Sequence, residues 1–216
     1  MAQLPERLLE GYAEFKKGRF PTEQGRYEKL AEKGQNPNIM LVGCCDSRAA
    51  PEIIFDSGPG EIFVMRNVAN IVPHKSSQDD GIHGTTAALE FAVNGLKVEH
   101  IVIMGHGRCG GVKSYISADE SEPLSESNYI GKWSGQLQAA DNPIRYKALN
   151  RPELDHGGLL ERSSIIHSLE NLYSYQFIKT RVLEGKLALH GAWFDISTGE
   201  LEYYEEEQGT FLKVNA

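Results

Sequence analysis

Two short runs of metal-binding side chains each follow directly on an apolar, strand-like segment, and this placement constrains the fold more than any other feature of the chain. Ile39–Gly43 (IMLVG) leads into Cys44–Arg48 (CCDSR), and His100–Gly105 (HIVIMG) leads into His106–Cys109 (HGRC). Two thiols and an imidazole carried to strand ends make three of the four bonds a zinc ion takes. A site with three protein ligands keeps one position for water. In open α/β sheets, ligands gather beyond the carboxyl ends of the strands, and Cys44 and His106 both fall there.

The pattern around these runs alternates. Strand-like runs at Ile39–Val42, Ile62–Met65 and Ile101–Met104 are separated by helical ones at Pro51–Asp56 and Gly84–Leu96. This predicts an α/β fold: a mostly parallel β-sheet flanked by helices on both faces. Asn128–Ala148 and Leu159–Leu183 read as further helices. Gly185–Gly191 reads as the lead-in to strands at Ala192–Ile196 and Leu201–Tyr204, which the Ser197–Glu200 turn joins into a C-terminal β-hairpin. Upstream, Leu8, Leu9, Tyr12 and Phe15 have helical spacing, Phe20–Thr22 breaks it, and Tyr27, Leu30 and Ala31 resume it. Residues 1–33 therefore read as an N-terminal helical arm, too polar to stand alone and expected to pack on a neighbouring subunit. No repeat or linker divides the chain, so residues 1–216 are expected to form a single domain.

The formal net charge of -8 argues against a nucleic-acid partner, because neutralising phosphates needs a basic surface. No apolar run approaches the roughly 18–20 residues that cross a bilayer, and the opening MAQLPER lacks the basic flank and apolar core of a secretory signal. Three cysteines make no disulfide framework. They suit a reducing compartment in which thiols stay available to metal, and the cytoplasm is the expected one.

Within the first run, Cys44, Asp46 and Arg48 alternate, so an extended backbone would point all three one way and Cys45 the other. That parity selects Cys44 as the ligand. Asp46 paired to Arg48 has two possible uses: accepting a hydrogen bond from metal-bound water, or closing the site as a fourth ligand.

The runs together resemble the signature of the beta-class carbonic anhydrases, Cys-x-Asp-x-Arg followed at a distance by His-x-x-Cys. The flanks at Gln35–Pro37, Pro59–Asn70, Gly105–Gly111 and Leu189–Leu201 resemble family segments in family order. The resemblance implies one zinc ion per chain on Cys44, His106 and Cys109, and a lyase that hydrates CO2 reversibly to bicarbonate and a proton by attack of zinc-bound hydroxide. It implies catalytic roles for Asp46 and Arg48, substrate positioning by the Gln35 amide, and an apolar CO2 pocket lined by Phe63, Val68 and Phe91, partly across a subunit interface. A homodimer or tetramer is expected. The branch of the family that closes its site with bicarbonate carries Trp, Arg and Tyr where this chain has Leu41, Arg66 and Phe194, so the open-site, plant-like branch is the expected one. Two alternatives share the metal ligands: a CS2 or COS hydrolase on the same scaffold, and a non-catalytic protein with structural zinc.

Overall fold

The computed structural model describes residues 4–77, 83–118, 122–151, 153 and 155–215. The chain divides into two compact units, residues 1–36 and residues 37–216.

The first unit is a helix pair, α1 (Glu6–Lys17) and α2 (Arg19–Lys33). The break falls at Gly18, whose N–H reaches the Glu14 carbonyl at 2.8 Å, and not at the expected Phe20–Thr22. Pro21 lies in the first turn of α2, where its missing N–H leaves no hydrogen bond unmade. Phe15, Phe20 and Tyr27 pack ring against ring across the pair at 5.6–6.1 Å between centroids. Neither helix buries a residue fully, and Leu8, Leu9 and Tyr12 remain 59%, 46% and 62% exposed.

The second unit runs β1 (Ile39–Cys44), α3 (Pro51–Ile54), β2 (Ile62–Asn67), α4 (Gly84–Glu90, continued as a wide turn over Phe91–Leu96), β3 (His100–His106), α5 (Gly110–Ile116), α6 (Tyr129–Ser134), α7 (Gln138–Asn150), α8 (His156–Leu172), α9 (Gln176–Leu183), β4 (Ala188–Phe194), β5 (Leu201–Glu205) and β6 (Thr210–Lys213). The six-stranded sheet has the order β2-β1-β3-β4-β5-β6. Its first four strands are parallel and its last two antiparallel, which is the expected α/β sheet with a C-terminal hairpin. No described helix is long and apolar enough to cross a membrane.

Alternation sorts the strands onto two faces. Met40 and Val42 of β1 join Ile101 and Ile103 of β3 in the main core, with Leu89, Ile165, Leu172 and Trp193. The intervening Leu41 and Met104 pack on the other face with Ala192. Each such side chain, fully buried, contributes about 1.5–3 kcal/mol of transfer free energy.

Four elements of this unit differ from the sequence reading. The helix expected over Asn128–Ala148 is two, α6 and α7, joined through a tighter turn at Gly135–Leu137. β4 begins at Ala188, not Ala192, because Gly191 is a strand residue and not a lead-in: a β-carbon there would stand 2.9 Å from Ile165 of α8 and 3.0 Å from Tyr204 of β5. Its glycine admits close packing of its neighbours. The helix expected over Leu159–Leu183 is two helices, α8 and α9, separated at Tyr173–Tyr175. β6 carried no clear strand pattern and pairs only with β5.

Candidate metal centre

β1 and β3 are neighbours in register, with Gly43 level with Met104. Cys44 ends β1 and His106 ends β3, so both emerge at one end of the sheet. Beyond His106 the chain turns through Gly107 and Arg108 and enters α5 with Cys109 as the residue before its first turn. Cys44, His106 and Cys109 are 4%, 1% and 2% exposed, and their ligand atoms lie within 4.8 Å of one another.

The donor set fits a metal ion. The Cys44 and Cys109 sulfurs are 3.9 Å apart, close to the roughly 3.8 Å that two thiolates span on a tetrahedral ion at ~2.3 Å each. His106 Nδ1 lies 3.0 Å from the Gly107 carbonyl and donates to it, which leaves the lone pair on Nε2. That nitrogen is buried and has no hydrogen-bond partner among the described residues. An unsatisfied buried nitrogen beside two buried sulfurs is costly without a ligand and ordinary with one.

The sulfurs are held from behind. Backbone N–H groups of Asp46 and Ala69 point at Cys44, and those of Val112 and Gly111 at Cys109. The hydrogen bond from Cys109 lowers the proton affinity of Cys44 against the effect of burial, and the same bond together with burial raises that of Cys109.

Asp46 and Arg48 reach the site by a different route from the expected one. β1 stops at Cys44, and residues 46–49 form a turn closed by Ala49 N–H on the Asp46 carbonyl at 3.1 Å. Extended alternation therefore does not place them; the turn does. Cys45 is exposed, whereas Cys44 is buried. Asp46 Oδ2 stands 3.9 Å from His106 Nε2, and both Asp46 oxygens are bonded by Arg48, from Nε at 2.9 Å and Nη2 at 2.7 Å. Those bonds hold the Asp46 carboxyl well below the usual carboxylate range.

Arg66 is the clamp on this turn. Its Nε donates to the Cys44 carbonyl at 2.7 Å and its Nη2 to the Asp46 carbonyl at 2.6 Å. Sequence reading aligned Arg66 with a regulatory anion site and missed this use. It also missed Glu161 of α8, whose Oε1 accepts the Cys109 N–H at 2.9 Å and whose Oε2 accepts Trp193 Nε1 at 3.2 Å. The available signal was a carboxylate on the helix face that also carries Ile165 and Leu172.

Of the expected pocket residues, Val68 packs beside the cysteines, against the cluster formed by Cys44, Ala69, Cys109 and Leu160. Phe63 lies opposite Met40, four positions back along β2 from Asn67, the residue opposite Cys44, a separation of about 13 Å. Phe63 pairs there with Phe91 at 5.8 Å between ring centroids, and Phe91 is 53% exposed. Within one chain these two rings do not join Val68. Gln35 is exposed and belongs to the first unit, just after α2.

Comparison with known proteins agrees with this chemistry. The family model described as carbonic anhydrase matches residues 39–201. Beta carbonic anhydrase 3 of Arabidopsis thaliana is 32% identical over 200 residues, covering 93% of this chain and 76% of that protein. Among solved structures, the beta-carbonic anhydrase CcaA superposes with a TM-score of 0.86 at 29% identity, over 98% of this chain and 92% of that one. The tetrameric beta-carbonic anhydrases of Sordaria macrospora superpose with a TM-score of 0.76 at 29% identity, over 91% and 94%. The buried Cys-His-Cys cluster, the sheet that presents it and these likenesses converge: the chain belongs to the beta-class carbonic anhydrases.

Proposed function

We propose that this protein catalyses the reversible hydration of CO2 to bicarbonate and a proton, with one zinc ion held by Cys44, His106 and Cys109. The observation that carries the reading is the convergence of those three ligand atoms within 4.8 Å, with the Asp46 carboxylate 3.9 Å from the free imidazole nitrogen. Zinc, when bound, supplies a Lewis acid that makes a water at its open position easier to deprotonate.

The other work falls to protein groups. Asp46 accepts a hydrogen bond from the reacting water and so orients it. Arg48 keeps that carboxylate ionised and fixed in direction, and its two parallel N–H donors also reduce the tendency of Asp46 to turn onto the metal. This arrangement supports the open-site reading. Val68 gives CO2 an apolar wall. Gln35 offers an uncharged N–H to a substrate oxygen as charge grows on it. Phe63 and Phe91 complete the apolar wall from a second copy of the chain, so the working unit is a homodimer or a larger assembly.

The test is the stopped-flow rate of CO2 hydration by zinc-replete protein at about pH 8.5. A rate far above that of buffer is expected. No acceleration with zinc bound, together with turnover of CS2 or COS, would replace this reading by the hydrolase one.

A further inference from the structure

The turn that carries His106 and Cys109 has a conformation its own sequence resists. Arg108 lies in the left-handed region at φ 57°, which a β-carbon disfavours. Such a residue persists only where its surroundings over-determine it. Three ties do so. Gly107 N–H reaches the Phe194 carbonyl at 2.9 Å, Arg48 Nη2 reaches the Arg108 carbonyl at 3.4 Å, and Cys109 N–H reaches Glu161 Oε1 at 2.9 Å.

The third tie is made by an unusual partner. Glu161 is 5% exposed and makes no ion pair with a described residue. Arg162, next in sequence, is committed elsewhere: its guanidinium stacks on the Trp193 ring at 3.6 Å and bonds both oxygens of Glu202 at 2.8 and 3.0 Å. A buried carboxylate without a cation is costly to keep. Its use here is that two N–H donors, from Cys109 and Trp193, converge on two separate oxygens. Glutamine in the same place would turn an NH2 group toward one of those donors.

We infer that Glu161 is a positioning residue for the metal centre: by accepting the Cys109 amide and the Trp193 indole N–H together, it holds the Cys109 thiolate in place against the relaxation of Arg108. This inference rests on the reading of Cys44, His106 and Cys109 as the zinc ligands.

The experiment uses the zinc-loaded protein and reads metal retention as well as activity. In Glu161→Gln, zinc release to a chromophoric chelator is expected to be about 10- to 100-fold faster. The visible bands of the cobalt-substituted protein should shift, and kcat should fall with KM held. Arg108→Gly added to Glu161→Gln removes the β-carbon that opposes the turn, so zinc release should slow again; a role in packing alone predicts no recovery, and its absence overturns the inference. If Glu161→Gln does not fold, Trp193→Phe takes its place, keeping a ring and removing the second donor. Faster zinc release then supports the inference, and a wild-type release rate overturns it. Zinc release at the wild-type rate from Glu161→Gln overturns it as well. A wild-type protein that takes up no zinc overturns the underlying metal reading instead.

Discussion

Arg48 occupies both oxygens of Asp46, through Nε at 2.9 Å and Nη2 at 2.7 Å, and adds its own backbone N–H to Oδ1 at 2.9 Å. The pair spans two residues, is closed by a turn, and stands against the buried imidazole of His106. With its proton affinity depressed, Asp46 contributes stability above the ordinary carboxylate pKa, and that contribution is lost only as pH falls through the lowered folded value.

Arg48→Ala is therefore expected to move the acid limb of the pH–rate profile to higher pH and to lower kcat on the order of 10²-fold through a misdirected Asp46. Arg48→Lys keeps the charge but not the paired donors, and should recover only part of the loss. Profiles of the two variants and wild type check this; an acid limb that stays in place refutes it.

Cys44→Ser, Cys109→Ser and His106→Ala each remove one donor from a cluster confined within 4.8 Å. Each variant is expected to purify with zinc well below one ion per chain and with CO2 hydration near the buffer rate. In the wild type, chelation should abolish activity and added Zn2+ restore it. Metal analysis beside stopped-flow assays reads both quantities.

With a divalent ion on Cys44 and Cys109, two thiolates would cancel its charge, so its pull on a water proton would be weaker than in a three-imidazole site, where the pKa is about 7. Hydration is accordingly expected to keep rising from about pH 7 to about pH 9. A rate that does not change over that range would contradict the neutral-site argument.

Gly111 packs against the segment that backs Cys44. A β-carbon there would stand 2.7 Å from Val68 Cγ1, 3.0 Å from Ala69 Cβ and 3.4 Å from the Ala69 nitrogen. Gly111→Ala should cost about 1–3 kcal/mol in stability by denaturant titration. It should also speed zinc loss, because the Ala69 N–H that points at the Cys44 sulfur is displaced.

Removal of residues 1–33 takes away α1 and α2, whose Leu8, Leu9 and Tyr12 stay exposed. The shortened chain is expected to be monomeric or aggregated by light scattering; an intact, active oligomer would refute a role for the arm in subunit packing.

Much of the molecule was legible in the sequence for identifiable reasons. Apolar runs such as Ile39–Val42 and Ile101–Met104 announce buried parallel strands, and chemistry placed immediately after them announces the site. The convergence of Cys44, His106 and Cys109 was readable because both runs follow directly on strands that pair side by side. The turn at residues 46–49 was not, since it is set by tertiary bonds from Arg66 that no local pattern encodes. Glu161 escaped for the same reason: its two donors come from residues 52 and 32 positions away. Gly191 misled because glycine marks a turn by composition and a close approach of side chains by packing.

Cys44 and Cys109 are 65 positions apart, and adjacency of β1 and β3 is what brings them together. An ion bridging them would be a cross-link between distant parts of one chain, as a disulfide is. Closing a loop of that length removes about 4 kcal/mol of unfolded-chain entropy in the simple polymer picture. An ion held there would thereby also be a staple: it could be gripped only once the parallel strands have paired, and once gripped it would oppose their separation.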